Sequence, residues 1–362
     1  MEQAGWILDE EQWKAWAGSL PASGGRVIAP ARGPRGEAAF TKTDDADQIA
    51  RGYPGKTQMS PKEFLFPRSE TLFEFRLAGN TVTLVRPPRS DNKQVLIGLR
   101  PCDAAGLRRL DEVFLQDPAD EAYEHRRNQT VVIVEACTEA TPSCFCTAVG
   151  GSPGGTEGAD LHVTRLGGSG RILLRAITQT GSELASAASA SWARATEADF
   201  AEAGDQAEAV SSSIRRQPLP ARTPELLEGS FEAPEWEVVA SACIGCGICT
   251  YACPSCSCFD IADTGGAACG SRCRSWDSCA FGEFTKHASG HNPRPKQSAR
   301  YRQRLMHKFA YFPSQHAGQL MCVGCGRCID LCPAGIDIHQ AVLALAGAAR
   351  AAHRGADEGV PV

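Results

Sequence analysis

Apolar and polar positions along the chain mark out a first region of alternating strands and helices and a second region dominated by helical patterning. "QVLIGL" (94–99) and "TVVIVEA" (130–136) are short continuous apolar runs, the pattern of strands buried on both faces. Between them, "CDAAGLRRLDEVFLQ" repeats apolar residues at Leu107, Leu110, Val113 and Phe114, one face of a helix. Strand, helix, strand is a βαβ unit, so the two strands are expected to run parallel. "TLFEFRLAGNTVTLVRP" has two β-rich runs around Gly79-Asn80 and predicts a hairpin. "DLHVT" and "RILLR" add two short strands, and "SELASAASASWARA" predicts a helix. The first 70 residues are less ordered: "DEEQWKAWAGSL" predicts a short amphipathic helix, and "PASGGRVIAPARGPRG" reads as loop.

Around 198–235 the composition shifts to Ala, Glu, Ser and Pro ("QPLPARTPELLEGSFEAPEW"), the pattern of a linker or a loosely packed helix and turn. That shift sets the expected domain boundary. The region beyond it is cysteine-dense, reads as helices joined by cluster-binding loops, and ends in a helix at "HQAVLALAGAARAAHR".

The length of 362 residues suits two domains, each with its own core. No apolar run approaches the roughly 18 residues a transmembrane helix needs, so no membrane span is expected. The first 30 residues carry Trp6, Trp13, Trp16 and acidic groups where an export signal would have a basic start and an apolar stretch, which predicts a cytoplasmic location. A net charge of -5 without a long basic block excludes a nucleic-acid binder and points to proteins and small redox molecules as partners. Seventeen cysteines in a reducing compartment argue against disulfides and make metal the default explanation.

Two runs repeat one spacing without change. "CIGCGICTYACP" supplies Cys243, Cys246, Cys249 and Cys253; "CVGCGRCIDLCP" supplies Cys322, Cys325, Cys328 and Cys332. Three thiolates at this spacing wrap one iron–sulfur cube, with Gly245, Gly247, Gly324 and Gly326 letting backbone N–H groups face the sulfides. In two-cluster ferredoxins the fourth cysteine crosses to the other cube. One 4Fe–4S cluster is therefore expected at Cys243, Cys246, Cys249 and Cys332, and a second at Cys322, Cys325, Cys328 and Cys253. Zinc at four thiolates is the competing reading, disfavoured by two copies of the run. Eight cysteine ligands leave no coordination position open, so the clusters would move single electrons and bind no substrate. The expected fold is an α/β domain with a partly parallel sheet over 1–225, followed by an α-helical ferredoxin-like dicluster domain over 236–362.

In an open parallel sheet, ligands collect beyond the carboxyl ends of the strands. Cys102 lies just past "QVLIGL" and Cys137 just past "TVVIVEA", so both belong to one edge of the sheet. The next loop, "TPSCFCTAVGGSPGG", can return Cys144 and Cys146 to that edge. A third iron–sulfur cluster, most simply 4Fe–4S, is the functional reading, with the helix beginning beside Cys102 favouring an anionic group. Buried thiols and zinc are the alternatives. "GGSPGGTEG" follows a CxC loop and precedes a strand, the wrong context for a dinucleotide cradle.

The long gap between Cys253 and Cys322, with helical patterning in "SARYRQRLMHKFAYF", resembles the α-helical ferredoxin module of heterodisulfide reductase and succinate dehydrogenase electron-transfer subunits. "SWDSCAFGEFTKHASGHNPRPKQSARYRQRLMHKFAYFP" with "CVGCGRCIDLCPAGIDI", "CPSCSCFD", "IGLRPCDAAGLRRLDEVF" and "CTEATPSCFCTAVGGSPGGTEGADLHVT" closely resemble the β subunits of cytosolic nickel–iron hydrogenases (sulfhydrogenases) and the related iron–sulfur subunit of anaerobic sulfite reductase. The resemblance implies a non-catalytic relay between a flavoprotein diaphorase-type subunit, fed by NAD(P)H or ferredoxin, and a catalytic hydrogenase or reductase subunit. It leaves nickel–iron hydrogenase and sulfite reductase both open as the complex. A self-contained iron–sulfur reductase with substrate at the N-terminal cluster is a further reading, opposed by full cysteine ligation.

Cys256, Cys258, Cys269, Cys273 and Cys279 remain, and are expected to be thiols packed around the clusters. His287, His291 and His307 are expected as surface or satisfied core histidines. Arg100, Arg272, Arg274, Arg294 and Arg327 lie near cysteine motifs, where they would raise cluster potentials or dock partners.

Overall fold

The computed structural model describes residues 4–21, 25–33, 36–168 and 170–357, with side chains described as far as 350. Its strands are β1 (Gly5–Leu8), β2 (Arg26–Arg32), β3 (Ala38–Lys42), β4 (Ser69–Ala78), β5 (Thr81–Val85), β6 (Gln94–Leu99), β7 (Thr130–Glu135), β8 (Leu161–Leu166), β9 (Arg171–Ala176), β10 (Ala193–Arg194), β11 (Phe259–Gly265) and β12 (Cys269–Trp276). One mixed sheet runs in the order β10-β1-β9-β8-β7-β6-β2-β3, with β2, β6, β7 and β8 parallel and antiparallel strands at both edges.

Alternation along the central strands explains why they read as unbroken apolar runs. Val95, Ile97 and Ile133 face one core with Trp13 and Trp16 of the helix Glu10–Ser19; Leu96, Val132 and Val134 face the other, against Leu107, Leu110 and Phe114 of the helix Pro101–Phe114. Both faces are covered, as parallel strands require. Pro101 opens that helix at a position whose N–H needs no partner, and Asp103 reaches back to the Arg100 N–H at 3.2 Å.

The segment expected as loop, "PASGGRVIAPARGPRG", instead contributes β2, beside β6. Pro30 hid it, because proline is excluded from most central strands. The structure tolerates Pro30 because β2 pairs with β6 only over Arg26–Ile28, so the missing N–H removes no bond on that side. The Pro30 ring also packs on Gly98, whose φ of +77 makes a kink in β6, and a Cβ there would lie 3.0 Å from Pro30 Cδ. The helix expected over "SELASAASASWARA" stops early: Gln179–Ser186 is helical, and the chain then turns to add β10 at the sheet edge.

The expectation of helices alone after 236 is also incomplete. Helices Gln297–Met306 and Ile338–Asp357 are present, but β11 and β12 form a hairpin inside the cysteine-dense region. That hairpin joins β4 and β5 in a second, antiparallel sheet of order β11-β12-β4-β5. Phe259 and Trp276 pack with Phe66 and Phe114, so the hairpin shares the core of the first region. Among the described residues no helix is long and apolar enough to cross a membrane.

Candidate metal centres

Cys243, Cys246, Cys249 and Cys332 line one cavity with Gln297, Tyr301 and Arg304, although Cys332 belongs to the other sequence run. Gly247 begins the single turn Ile248–Tyr251 at φ +76, and a Cβ there would stand 2.6 Å from the Phe281 ring, so glycine is needed to turn the chain between Cys246 and Cys249. Donors already reach the sulfurs: Gln297 Nε2 lies 3.2 Å from Cys243 Sγ, and the Ile336 N–H donates to Cys332 Sγ at 3.3 Å.

Tyr301 is buried on the wall of this cavity, and its hydroxyl has no partner among the described residues. Such an orphan costs about 1–3 kcal/mol unless an acceptor fills the space beside it. The donor set therefore fits an anionic, sulfur-rich group. Tyr301→Phe is expected to lower the reduction potential at this site, because donors to sulfur stabilise the more negative reduced state. A bond of about 1 kcal/mol corresponds to roughly 40 mV for one electron, readable by potentiometric EPR titration.

Cys253, Cys322 and Cys325 are buried and Cys328 is half-buried; the charge on Cys253 acts on all three of the others. Burial pushes the Cys322 thiol up to about 12 and raises Cys328 as well. Thiols held protonated this way become ligands when a metal displaces the protons. Three buried cations surround them. Lys308 Nζ lies 3.4 Å from Cys253 Sγ, Arg304 Nη1 lies 3.6 Å from Cys256 Sγ, and Lys62 Nζ donates to the Thr250 and Cys256 carbonyls at 3.0 and 2.9 Å. The groups of opposite charge that act on these cations are cysteines. A buried cation needs a counter-charge, and a thiolate-bound cluster carries one.

Lys308 sits in a π turn, His307–Tyr311, that continues the helix Gln297–Met306. Gln297, Tyr301, Arg304 and Lys308 recur at intervals of four, three and four, which places them on one helical face. The apolar pattern of this stretch reveals a helix but not its functional stripe; the spacing of these four polar residues was the available signal.

The structure also brings Cys102, Cys137, Cys144 and Cys146 together. Cys102 is the second residue of the helix Pro101–Phe114 and Cys137 follows β7; Cys137 neighbours Cys102 and Cys146, and Cys144 neighbours Cys137 and Cys146. Burial pushes Cys137 up to about 11 and Cys146 up to about 12. The glycine-rich run folds over them: the Cys137 N–H donates to Pro153 O at 2.9 Å, and Gly158, at φ +77, approaches the helix so closely that a Cβ would be 2.5 Å from Ala104 O.

This third group touches the second. The Phe145 N–H donates to Gly324 O at 2.9 Å, and a Cβ on Gly324 would lie 2.5 Å from Cys146 Cα. Lys56 ties the two loops, bonding Ser143 Oγ at 2.6 Å and Cys325 O at 2.9 Å. Arg327, fully buried, reaches from the second loop to Thr57 O at 2.8 Å and pairs with Asp103 at 2.6 Å. Arg100 caps the strand end beneath, donating to Ala136 O at 2.9 Å.

The other expected arginines have different work. Arg274 is buried among Phe66, Phe114 and Phe259 and pairs with Glu70 and Asp120, while exposed Arg272 pairs with Asp263 along the hairpin. Arg294 accepts through its carbonyl from Arg300. His287 and His291 are exposed; His307 is half-buried, and desolvation pushes it down to about 4, so it is neutral. Cys256 is buried beside Cys253, and Cys258 lies beside Cys279. Cys269 and Cys273 depart from the expected packing around clusters: both lie on β12, Cys269 exposed and Cys273 bonded to Thr71.

Residues 242–336 match the family of 4Fe–4S dicluster domains. Over 324 residues the chain is 32% identical to sulfhydrogenase 2 subunit beta of Pyrococcus furiosus, a match covering 88% of this chain and 91% of that protein.

Proposed function

This chain belongs to the sulfhydrogenase β-subunit family, and from that premise we propose that it is the electron-transfer subunit of a hetero-oligomeric cytoplasmic complex. It relays single electrons between a flavoprotein diaphorase-type subunit, supplied by NAD(P)H or ferredoxin, and a catalytic subunit of nickel–iron hydrogenase type. Cys243, Cys246, Cys249 and Cys332 hold one 4Fe–4S cluster, Cys322, Cys325, Cys328 and Cys253 a second, and Cys102, Cys137, Cys144 and Cys146 a third.

The observation that carries this reading is the contiguity of the three groups. Cys328 lines the cavity of the first quartet, and the loop of the second is threaded against Cys146 at Gly324. When bound, each cluster supplies a one-electron couple. The chain's own residues fix the sulfurs and set Arg304, Lys308 and Lys62 opposite the negative charge. Iron and sulfide analysis of the anaerobically purified chain tests the assignment. About twelve irons are expected, falling to about eight in Cys146→Ala; about eight in the unaltered chain would remove the third cluster, and zinc without sulfide would overturn the relay.

A further inference from the structure

Cys258 and Cys279 stand outside the three quartets. Cys258 precedes β11 and Cys279 lies in the turn after β12. The ladder pairs Phe259 with Trp276, and the Asp277 N–H donates to Cys258 O at 3.0 Å. That register brings the two thiols, from opposite ends of the hairpin, within hydrogen-bonding reach of each other. Both residues are half-buried. Ser278, between Asp277 and Cys279, is fully buried and donates to Thr250 Oγ1 at 2.9 Å, which fixes the turn. Cys279 neighbours Cys249 of the first quartet.

We propose that Cys258 and Cys279 form a reversible disulfide, a two-electron thiol couple built beside the one-electron sites. The oxidant is a low-molecular-weight disulfide, RSSR. The Cys279 sulfur bonds to one sulfur of RSSR as its S–S bond breaks and RS⁻ leaves; the Cys258 sulfur then bonds to Cys279 and displaces the second RS⁻. The two thiol protons pass to the leaving thiolates, giving two RSH, so the pair loses the two electrons that RSSR gains. The hairpin orders both residues beforehand, so closing the bond costs little chain entropy. The pairing itself does not depend on the clusters; its place beside a relay rests on the function proposed above.

The test is disulfide mapping of the full, cluster-loaded chain. Equilibrate it anaerobically in oxidised and reduced glutathione buffers, trap thiols with an alkylating agent, and digest for mass spectrometry, measuring iron in the same samples. The expected result is a linked Cys258–Cys279 peptide, with the loss of two alkylatable thiols. Its fraction should change tenfold in ratio per about 30 mV, the slope of a two-electron couple, at constant iron. Both thiols alkylated in every buffer would overturn the proposal. So would a disulfide that appears only as iron is lost, or loss of iron or zinc in Cys279→Ser, which would make the pair metal ligands. The wild-type mapping stands even if that variant misfolds. Absence of iron from the unaltered chain would sink the relay reading alone and leave the disulfide result intact.

Discussion

Cys332→Ala is expected to remove about four irons from the chain, and to remove them from the site built by Cys243, Cys246 and Cys249 rather than from the site of its own sequence run. Cys332 reaches that cavity because the turn after Cys328 carries the chain across, and the Ile336 N–H holds its sulfur. EPR of the reduced protein reads the outcome. Cys332→Ala and Cys243→Ala should lose the same signal, and Cys253→Ala should lose the one that Cys322→Ala loses. The opposite grouping, Cys332 with Cys322, would show that each run holds its own cluster. Electron flow from flavoprotein to catalytic partner should stop in all four variants, while each partner still reacts with artificial dyes.

Arg327→Met should cost about 3–5 kcal/mol of stability, the range for breaking one side of a buried ion pair. Arg327 and Asp103 are both fully buried, and the pair joins the second cluster loop to the start of the helix carrying Cys102. The substitution leaves Asp103 charged and unpaired, and also frees the Thr57 carbonyl. Denaturant unfolding at constant slope measures the loss. Adding Asp103→Leu should recover a large part of it, since removing both charges removes the desolvation cost. A loss below about 1 kcal/mol would mean that the pair is solvated in solution, as surface pairs are.

The eight cysteines at 243–253 and 322–332 were legible because cluster ligation imposes a local spacing, and local spacing is what a sequence records. The placing of Cys332 at the cavity of Cys243, Cys246 and Cys249 agrees with the crossing proposed from the same chemistry. The placement of Cys102 and Cys137 after the neighbouring parallel strands β6 and β7 was legible one step later, since parallel strands put the residues after them at one edge. The strand β2 was not, because Pro30 is permitted there only by the short register with β6 and the kink at Gly98. The hairpin β11–β12 was masked by cysteines that read as cluster loops, and its partner strand β4 lies in the other half of the chain.

By itself, then, the sequence determined the ligand runs, the βαβ unit and the family, all of which are set by short-range spacing or by apolar periodicity. Only the tertiary structure decided which charges face the cysteines. Arg304, Lys308 and Lys62 become neighbours of Cys253 and Cys256 by packing between remote segments, whereas Arg272 and Arg274, nearer in sequence, are drawn to Asp263, Glu70 and Asp120. The reason is electrostatic: a buried cation is placed by the counter-charge available in three dimensions, and no pattern along the chain encodes that partner.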